Sequence, residues 1–277
     1  MYIHLLRQAA LKYMHRYYII ADIGFDVQNF PFNTDTPYLN KFLGTDAEQV
    51  LIEYVKSDDD RYKMEVFTGI QKFSKCIRYK SDVMLVDEQW NHIAILDLRY
   101  SESFECLFNQ IFYTHAVQRH MIQIHSSMIE YSGNGLLFLG PSGIGKTTMA
   151  ELWNKYRGAL IINGDMNFVQ ETDECFLGWG TPWHGSSPYC ENTSVPVKAL
   201  IVLKQAPENS IRELKDFEKV QLVSNNIIYP TWLEGGMELC LETLNHLLSA
   251  LPVYELSCRP DEEAVRLTEE AVFGGSV

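Results

Sequence analysis

Four residues in the run GPSGIGKTT, residues 140–148, have the types and spacing to hold a phosphate. Gly140, Gly145, Lys146 and Thr147 fit the pattern G-x-x-x-x-G-K-[ST]. In that pattern backbone N–H groups turn inward as an anion nest, a lysine reaches the outer phosphates and a hydroxyl serves magnesium. Lys146 and Thr147 would take the last two parts, with Pro141, Ser142, Gly143, Ile144 and Thr148 completing the cradle. Asp165 follows Gly164 at the end of the apolar run LIIN. A carboxylate at a strand end beside a phosphate loop has two natural tasks, holding magnesium or accepting the proton of an attacking hydroxyl. A turn-forming Asp after a Gly is the alternative. His184 stands in GWGTPWHG, residues 178–185, whose composition suits a rigid wall beside a ligand. It would donate to a phosphate or shuttle a proton, or else sit exposed on a tryptophan-anchored turn. His125, in IQIHSS, is either a satisfied strand histidine or a group carried to the active face, fifteen residues before the loop.

These residues need elements to place them. The run GLLFLG before the loop reads as a strand buried on both faces, and TTMAELWNKY after it carries Met149, Leu152 and Trp153 at helical spacing. A helix starting there adds its positive end to the nest. MIQIHSSMIEY and NGLLFL read as two strands with a turn at 132–135, and GALIING as a further strand. NFVQ and ECFLGW suggest a hairpin, VPVKALIVLKQ a strong strand, and VYELS a last one. RELKDFEKVQLVSNNI reads as one helix or two. GGMELCLETLNHLLSALP reads as a helix with Met237, Leu241, Leu244 and Leu248 on one side, and PDEEAVRLTEEAVF as a closing helix with acids at its start.

The first hundred residues read differently. Residues 17–23, 62–67, 73–79, 81–86 and 92–98 look like strands, mainly antiparallel, with 47–54 a short helix or strand. FPFNTDTPY is a loop by composition, SDDD at 57–60 a solvated turn, and turns fall at 68–69 and 87–91. Residues 103–120 form a helical pattern through Phe104, Leu107, Ile111 and Ala116. The expected organisation is a mainly antiparallel β domain over 1–100, suited to partner recognition, and an α/β nucleotide domain over 101–277 that includes this leading helix.

Composition narrows the partners. The 277 residues are 46% hydrophobic, enough for one large domain or two modest ones. Lys and Arg number 23 against 36 Asp and Glu, a formal net charge of -13. No nucleic acid is expected as main partner of so acidic a chain. Six scattered cysteines without a CxxC pair predict reduced thiols in a cytoplasmic protein rather than a zinc site. The first twenty residues are interrupted by Arg7, Lys12, His15 and Arg16, so no membrane span or signal is expected.

From about residue 121 to the C-terminus the chain resembles the HPr kinase/phosphorylase superfamily, and most of all its shorter HPr-kinase-related peptide or serine kinases. The resemblance lies in IHSSMIEYSGNGLLFLG, GPSGIGKT, LIINGD, GTPWHG at 180–185 and VYELSCRPDEEAV. It implies an α/β (α+β) fold with a phosphate-loop, phosphoenolpyruvate-carboxykinase-like core. It also implies ATP and Mg2+ as cofactors and a protein or peptide hydroxyl as acceptor. Lys146 would neutralise charge on the transferring group, Thr147 and Asp165 would set magnesium, Asp165 would deprotonate the acceptor, and His125 would lie near the phosphates. Members of that family often assemble, so a homo-oligomer is among the implied states; an apolar helix face here is equally accounted for by a core. The sequence departs from the family at GDM. HPr kinases carry an Asp-Asp pair there, whereas Asp165 is followed by Met166. Either one carboxylate serves both roles or another residue supplies the second. The longer signature of the bifunctional enzymes is missing, which argues against phosphorylase activity. A small-molecule kinase and a nucleotide-dependent peptide-binding module without catalysis are the competing readings.

Overall fold

The structure, a computed structural model, describes residues 16–29, 38–45, 50–55, 73–80, 82–96 and 101–274. Most of the loop expected at 30–38, the SDDD turn, the strand expected at 62–67 and the turn at 68–69 lie outside the described residues. Contacts divide the chain into two units, Met1–His115 and Ala116–Val277. Among the described residues no helix is long and apolar enough to cross a membrane, and none of the six cysteines forms a disulfide.

Among its described residues the first unit is a six-stranded sheet: β1 (Arg16–Ile20), β2 (Ile23–Gln28), β3 (Val50–Val55), β4 (Lys75–Tyr79), β5 (Asp82–Val86) and β6 (His92–Leu96), in the order β1-β2-β3-β6-β5-β4. The single apolar run expected over 17–23 is two strands. Ala21 and Asp22 adopt positive φ of 46° and 59°, the two-residue turn whose twist matches a hairpin. β4, β5 and β6 pair antiparallel, as their alternation predicts. β3, however, pairs parallel with both β2 and β6. Helix α1 (Ser101–Val117) follows. Its Phe108 meets Phe25 edge-on with ring centroids 5.0 Å apart, and Tyr18 lies at 6.0 Å. The helix therefore packs on this sheet, and the division falls at 115/116 rather than near residue 100, because the apolar face of α1 is spent on the strands before it.

The second unit is built on β7 (Met121–Tyr131), β8 (Asn134–Leu139), α2 (Lys146–Arg157), β9 (Leu160–Asn163), β10 (Met166–Glu171), β11 (Phe176–Trp179), β12 (Ser194–Gln205), β13 (Ser210–Glu213), α3 (Asp216–Ser224), β14 (Ile227–Ile228), α4 (Gly236–Ala250), β15 (Val253–Cys258) and α5 (Glu262–Phe273). The sheet runs β11-β10-β7-β8-β12-β15-β13, with β9 and β14 also on β7. β12 lies parallel to β8 and to β15. The segment RELK opens as an edge strand rather than a helix, because Ile211 and its neighbours pair antiparallel with β15.

Burial explains why the loop is held firmly. Leu136 to Leu139 are fully buried, as the uninterrupted run predicts. Met149, Ala150 and Trp153 of α2 pack on Phe138, Ile129 and Ile201 below and on Ala264 and Val265 of α5. A buried side chain such as Met149 contributes about 2 kcal/mol. Glu269 of α5 takes Arg157 Nε at 2.6 Å and Tyr131 Oη at 2.8 Å, fixing the far end of α2.

Strand β7 has an unusual set of partners. Met121–His125 pair with β10 on one side, and Gln123 and Ile124 pair with β14 on the other. Ser126–Tyr131 pair with β8, and Met128–Glu130 with β9. On one side the partner changes between His125 and Met128, on the other between Ile124 and Ser126. The two breaks leave the Gly164–Asp165 turn on one flank and the start of the glycine loop on the other.

Candidate active site

The loop from Gly140 to Gly145 joins β8 to α2, and Lys146 is the first residue of the helix. Gly145 has φ of 116°, a conformation open chiefly to glycine, and it aims the first amides of α2 back toward the loop. Lys146 is buried, with 7% exposure, and its Nζ donates to the Gly140 carbonyl at 3.0 Å and that of Pro141 at 3.4 Å. Asn226, at the end of α3, locks the loop in place. Its Oδ1 accepts from Gly140 N at 2.9 Å while its carbonyl accepts from His125 N at 2.8 Å.

Across the break stands the Gly164–Asp165 turn. The Asn163 side chain shapes it: Oδ1 accepts from the amides of Asp165 at 2.9 Å and Met166 at 3.1 Å. Its Nδ2 donates to the carbonyls of Thr181 and Trp183, both at 2.9 Å, and so ties GTPWHG to the same turn. The Gly164 carbonyl accepts from Ser127 Oγ at 2.9 Å and Thr147 Oγ1 at 3.3 Å. His125 Nε2 lies 2.9 Å from Asp165 Oδ1, a hydrogen bond that becomes an ion pair when the imidazole is protonated.

These groups share one cleft of about 340 Å³, lined by His125, Ser142, Lys146, Thr147, Asp165 and the 186–188 wall among others. The structure thus brings together four of the residues singled out for chemistry. His184 is placed differently: its Nδ1 is tied to the Ser187 carbonyl, and the cleft wall at that point is Ser186, Ser187 and Pro188. Composition pointed to the loop but not to its serines. Asn226 carries no signal in the sequence, since it lies 86 residues from its partner Gly140.

Two close approaches constrain the cleft. A Cβ on Gly164 would sit 1.8 Å from Ser187 Oγ, and one on Gly185 would sit 2.1 Å from Asp165 Oδ2. Glycine at both positions lets the 185–188 segment close directly on the Asp165 turn.

Among the described residues no group of three or more His, Cys, Asp or Glu is arranged to hold a metal by itself. Among the described residues Asp165 is the one carboxylate that lines the cleft, and Thr147 brings a hydroxyl. Such a sparse set of hard oxygen donors fits magnesium, which keeps several waters and takes further ligands from substrate phosphates.

Burial lowers the pKa of Lys146 from its ordinary 10.5, and the Asp165 carboxylate opposes the shift. Between the lowered value and 10.5 the unfolded chain holds a proton that the folded chain has released. Unfolding free energy from this group therefore rises with pH across that window. Urea unfolding followed through the window should show that rise, and Lys146→Met should lack it; parallel curves for the two proteins would contradict the assigned burial cost.

The model of the family SynChlorMet cassette protein ScmC matches residues 103–258, more than half of the chain. An HPr kinase/phosphorylase of Mycoplasmopsis pulmonis (strain UAB CTIP) is 29% identical over 111 residues, covering 35% of this chain and 33% of that protein. The chain thus spans about a third of the length of this curated relative. The Hpr(Ser) kinase/phosphatase structure from Coxiella burnetii aligns with a TM-score of 0.33 at 12% identity, over 55% of this chain and 99% of that one. Part of the chain is HPr-kinase-like.

Proposed function

The chain belongs to the SynChlorMet cassette protein ScmC family, and from that premise we propose that it is an ATP- and magnesium-dependent kinase. The acceptor is a serine-type hydroxyl of a protein or peptide, with peptide maturation as its setting. The observation that carries this reading is the His125–Asp165 pair at 2.9 Å in the same cleft as Lys146 and Thr147. A phosphate loop beside a proton acceptor is what phosphoryl transfer to an alcohol requires, since the chemistry asks chiefly for positioning and charge neutralisation. The loop and Lys146 bind the phosphates. Asp165 orients the acceptor hydroxyl and takes its proton, and His125 holds the carboxylate in place. Thr147 and Asp165 would hold magnesium, which would supply charge neutralisation on the phosphates. The HPr-kinase-like core, phosphoenolpyruvate-carboxykinase-like in type, is the framework in which these roles fit.

One observation favours a second reading. The cleft offers a single carboxylate where HPr kinases carry two, so a nucleotide-dependent peptide-binding module is the alternative. The experiment separates them. The protein is incubated with magnesium and γ-labelled ATP, with and without peptides of its own cassette, and products are read by mass spectrometry. One added phosphate on a peptide hydroxyl, lost in Lys146→Ala, supports the kinase. Tight nucleotide binding with neither peptide nor water attacked overturns it in favour of the module.

A further inference from the structure

We propose that Ser186, in the wall of the cleft, is a phosphoryl acceptor of the chain itself, so that the protein phosphorylates its own serine in cis. The inference rests on the kinase reading of the same cleft and names an acceptor for it. The hydroxyl side chains that line the cleft are Ser142, Thr147, Thr148, Ser186 and Ser187. Ser142, Thr147 and Thr148 belong to the loop and the first turn of α2, the elements that would wrap the phosphates. An attacking oxygen has to come in line, opposite the leaving oxygen, and so from the wall that faces the loop. Ser187 stands on that wall, but it is buried and its Oγ accepts from Tyr189 N at 3.3 Å. Ser186 is exposed, and among the described residues no hydrogen bond engages its hydroxyl.

Local structure presents that hydroxyl to the cleft. Ser187 N donates to the His184 carbonyl at 3.0 Å, which closes a four-residue turn with Gly185 and Ser186 at its tip. Gly185 has φ of 58° and lies so close to Asp165 that a Cβ there would stand 2.1 Å from Oδ2. The next residue in the chain is therefore carried beside the carboxylate read as proton acceptor. The turn is anchored as well. The Trp183 carbonyl accepts from Asn163 Nδ2 at 2.9 Å, and His184 Nδ1 is tied to the Ser187 carbonyl. A hydroxyl held on a fixed turn loses little freedom in reaching the phosphate, which gives it a high effective concentration over any free alcohol. In the step, Ser186 Oγ bonds to the γ-phosphorus of ATP and the bond from that phosphorus to the bridging oxygen breaks. ADP leaves, and the hydroxyl proton passes to Asp165.

Dephosphorylated full chain, incubated with magnesium and γ-labelled ATP and no peptide, tests this, with the label located by tandem mass spectrometry. A single phosphate per chain should appear on Ser186, with a rate constant that does not change when the protein is diluted. Ser186→Ala should lose that label completely, and Ser186→Thr, which keeps a hydroxyl at the position, should retain it. Titration of the alanine variant with ATP reports that its fold and loop are intact. Label on a different residue, or a rate constant that falls on dilution, would overturn the assignment. A cassette peptide that is phosphorylated while the chain itself stays unlabelled would overturn it too, and would leave the kinase reading standing. If neither chain nor peptide takes up label, the kinase reading fails and this inference with it.

Discussion

Asp165→Asn is expected to slow phosphoryl transfer by about 10²–10⁴-fold, the usual worth of a positioned proton acceptor, while nucleotide binding is largely retained. The change is nearly isosteric. The contacts that set the turn belong to the backbone: Asp165 N to Asn163 Oδ1 and Ser126 N to Asp165 O, both at 2.9 Å, survive it. His125 Nε2 still finds an oxygen to donate to, so the imidazole keeps its place. What disappears is the ability to take a proton from an alcohol and part of the attraction for magnesium. Single-turnover rates with labelled ATP, beside nucleotide titrations of both proteins, give the comparison. A variant as fast as the natural chain would show that the proton leaves by another route and would remove Asp165 from the chemistry. A parallel loss of nucleotide affinity would show that the carboxylate serves mainly the metal and that the proton leaves by another route.

The second large effect concerns packing between the turn and the cleft wall. Gly164→Ala places a methyl 1.8 Å from Ser187 Oγ and 2.4 Å from its Cβ, in a region where Ser187 is buried. Overpacking of this kind costs about 1–3 kcal/mol, and relief requires the 186–188 wall to move off Asp165. Stability and transfer should therefore fall together. The companion change Ser187→Gly removes both offending atoms, and the next atom, Ser187 Cα, lies at an ordinary 3.8 Å. The double variant should recover most of the stability lost by Gly164→Ala. Thermal melts of both single variants and the double, arranged as a cycle, measure the coupling. Simple additivity would mean that the wall does not press on the turn as described.

Much of this site could be read from residue order, and the reasons for the rest are physical. The strand–loop–helix around 134–157 was legible because its signals are local: an unbroken apolar run, glycines at fixed offsets, then helical spacing. The end of LIIN also marked the turn that carries Asp165. Long-range pairings left no such trace. Asn226 reaches Gly140 and His125 from a helix end whose own pattern concerns only its burial. The parallel partners of β3 depend on connections rather than on alternation, so a strand-by-strand reading found strands but not their order. RELK has the composition of a helix start, yet tertiary pairing with β15 puts Arg212 and Glu213 in a strand. Likewise α1 shows its apolar stripe in the sequence, but not which sheet would receive it.

The double change of partners along β7 has a geometric consequence. His125 faces Asp165 and Ser127 holds Gly164, while the same strand binds β8 and, through Asn226, the start of the loop. Both walls of the cleft are thus hung on neighbouring residues of a single extended segment. The walls stand on opposite edges of that segment, so the gauge of the cleft follows the hydrogen-bonded spacing across a strand, about 4.8 Å per neighbour. Loosening the core beneath α2 lowers the temperature at which the cleft is lost, but the strand serves as its ruler for as long as it is paired.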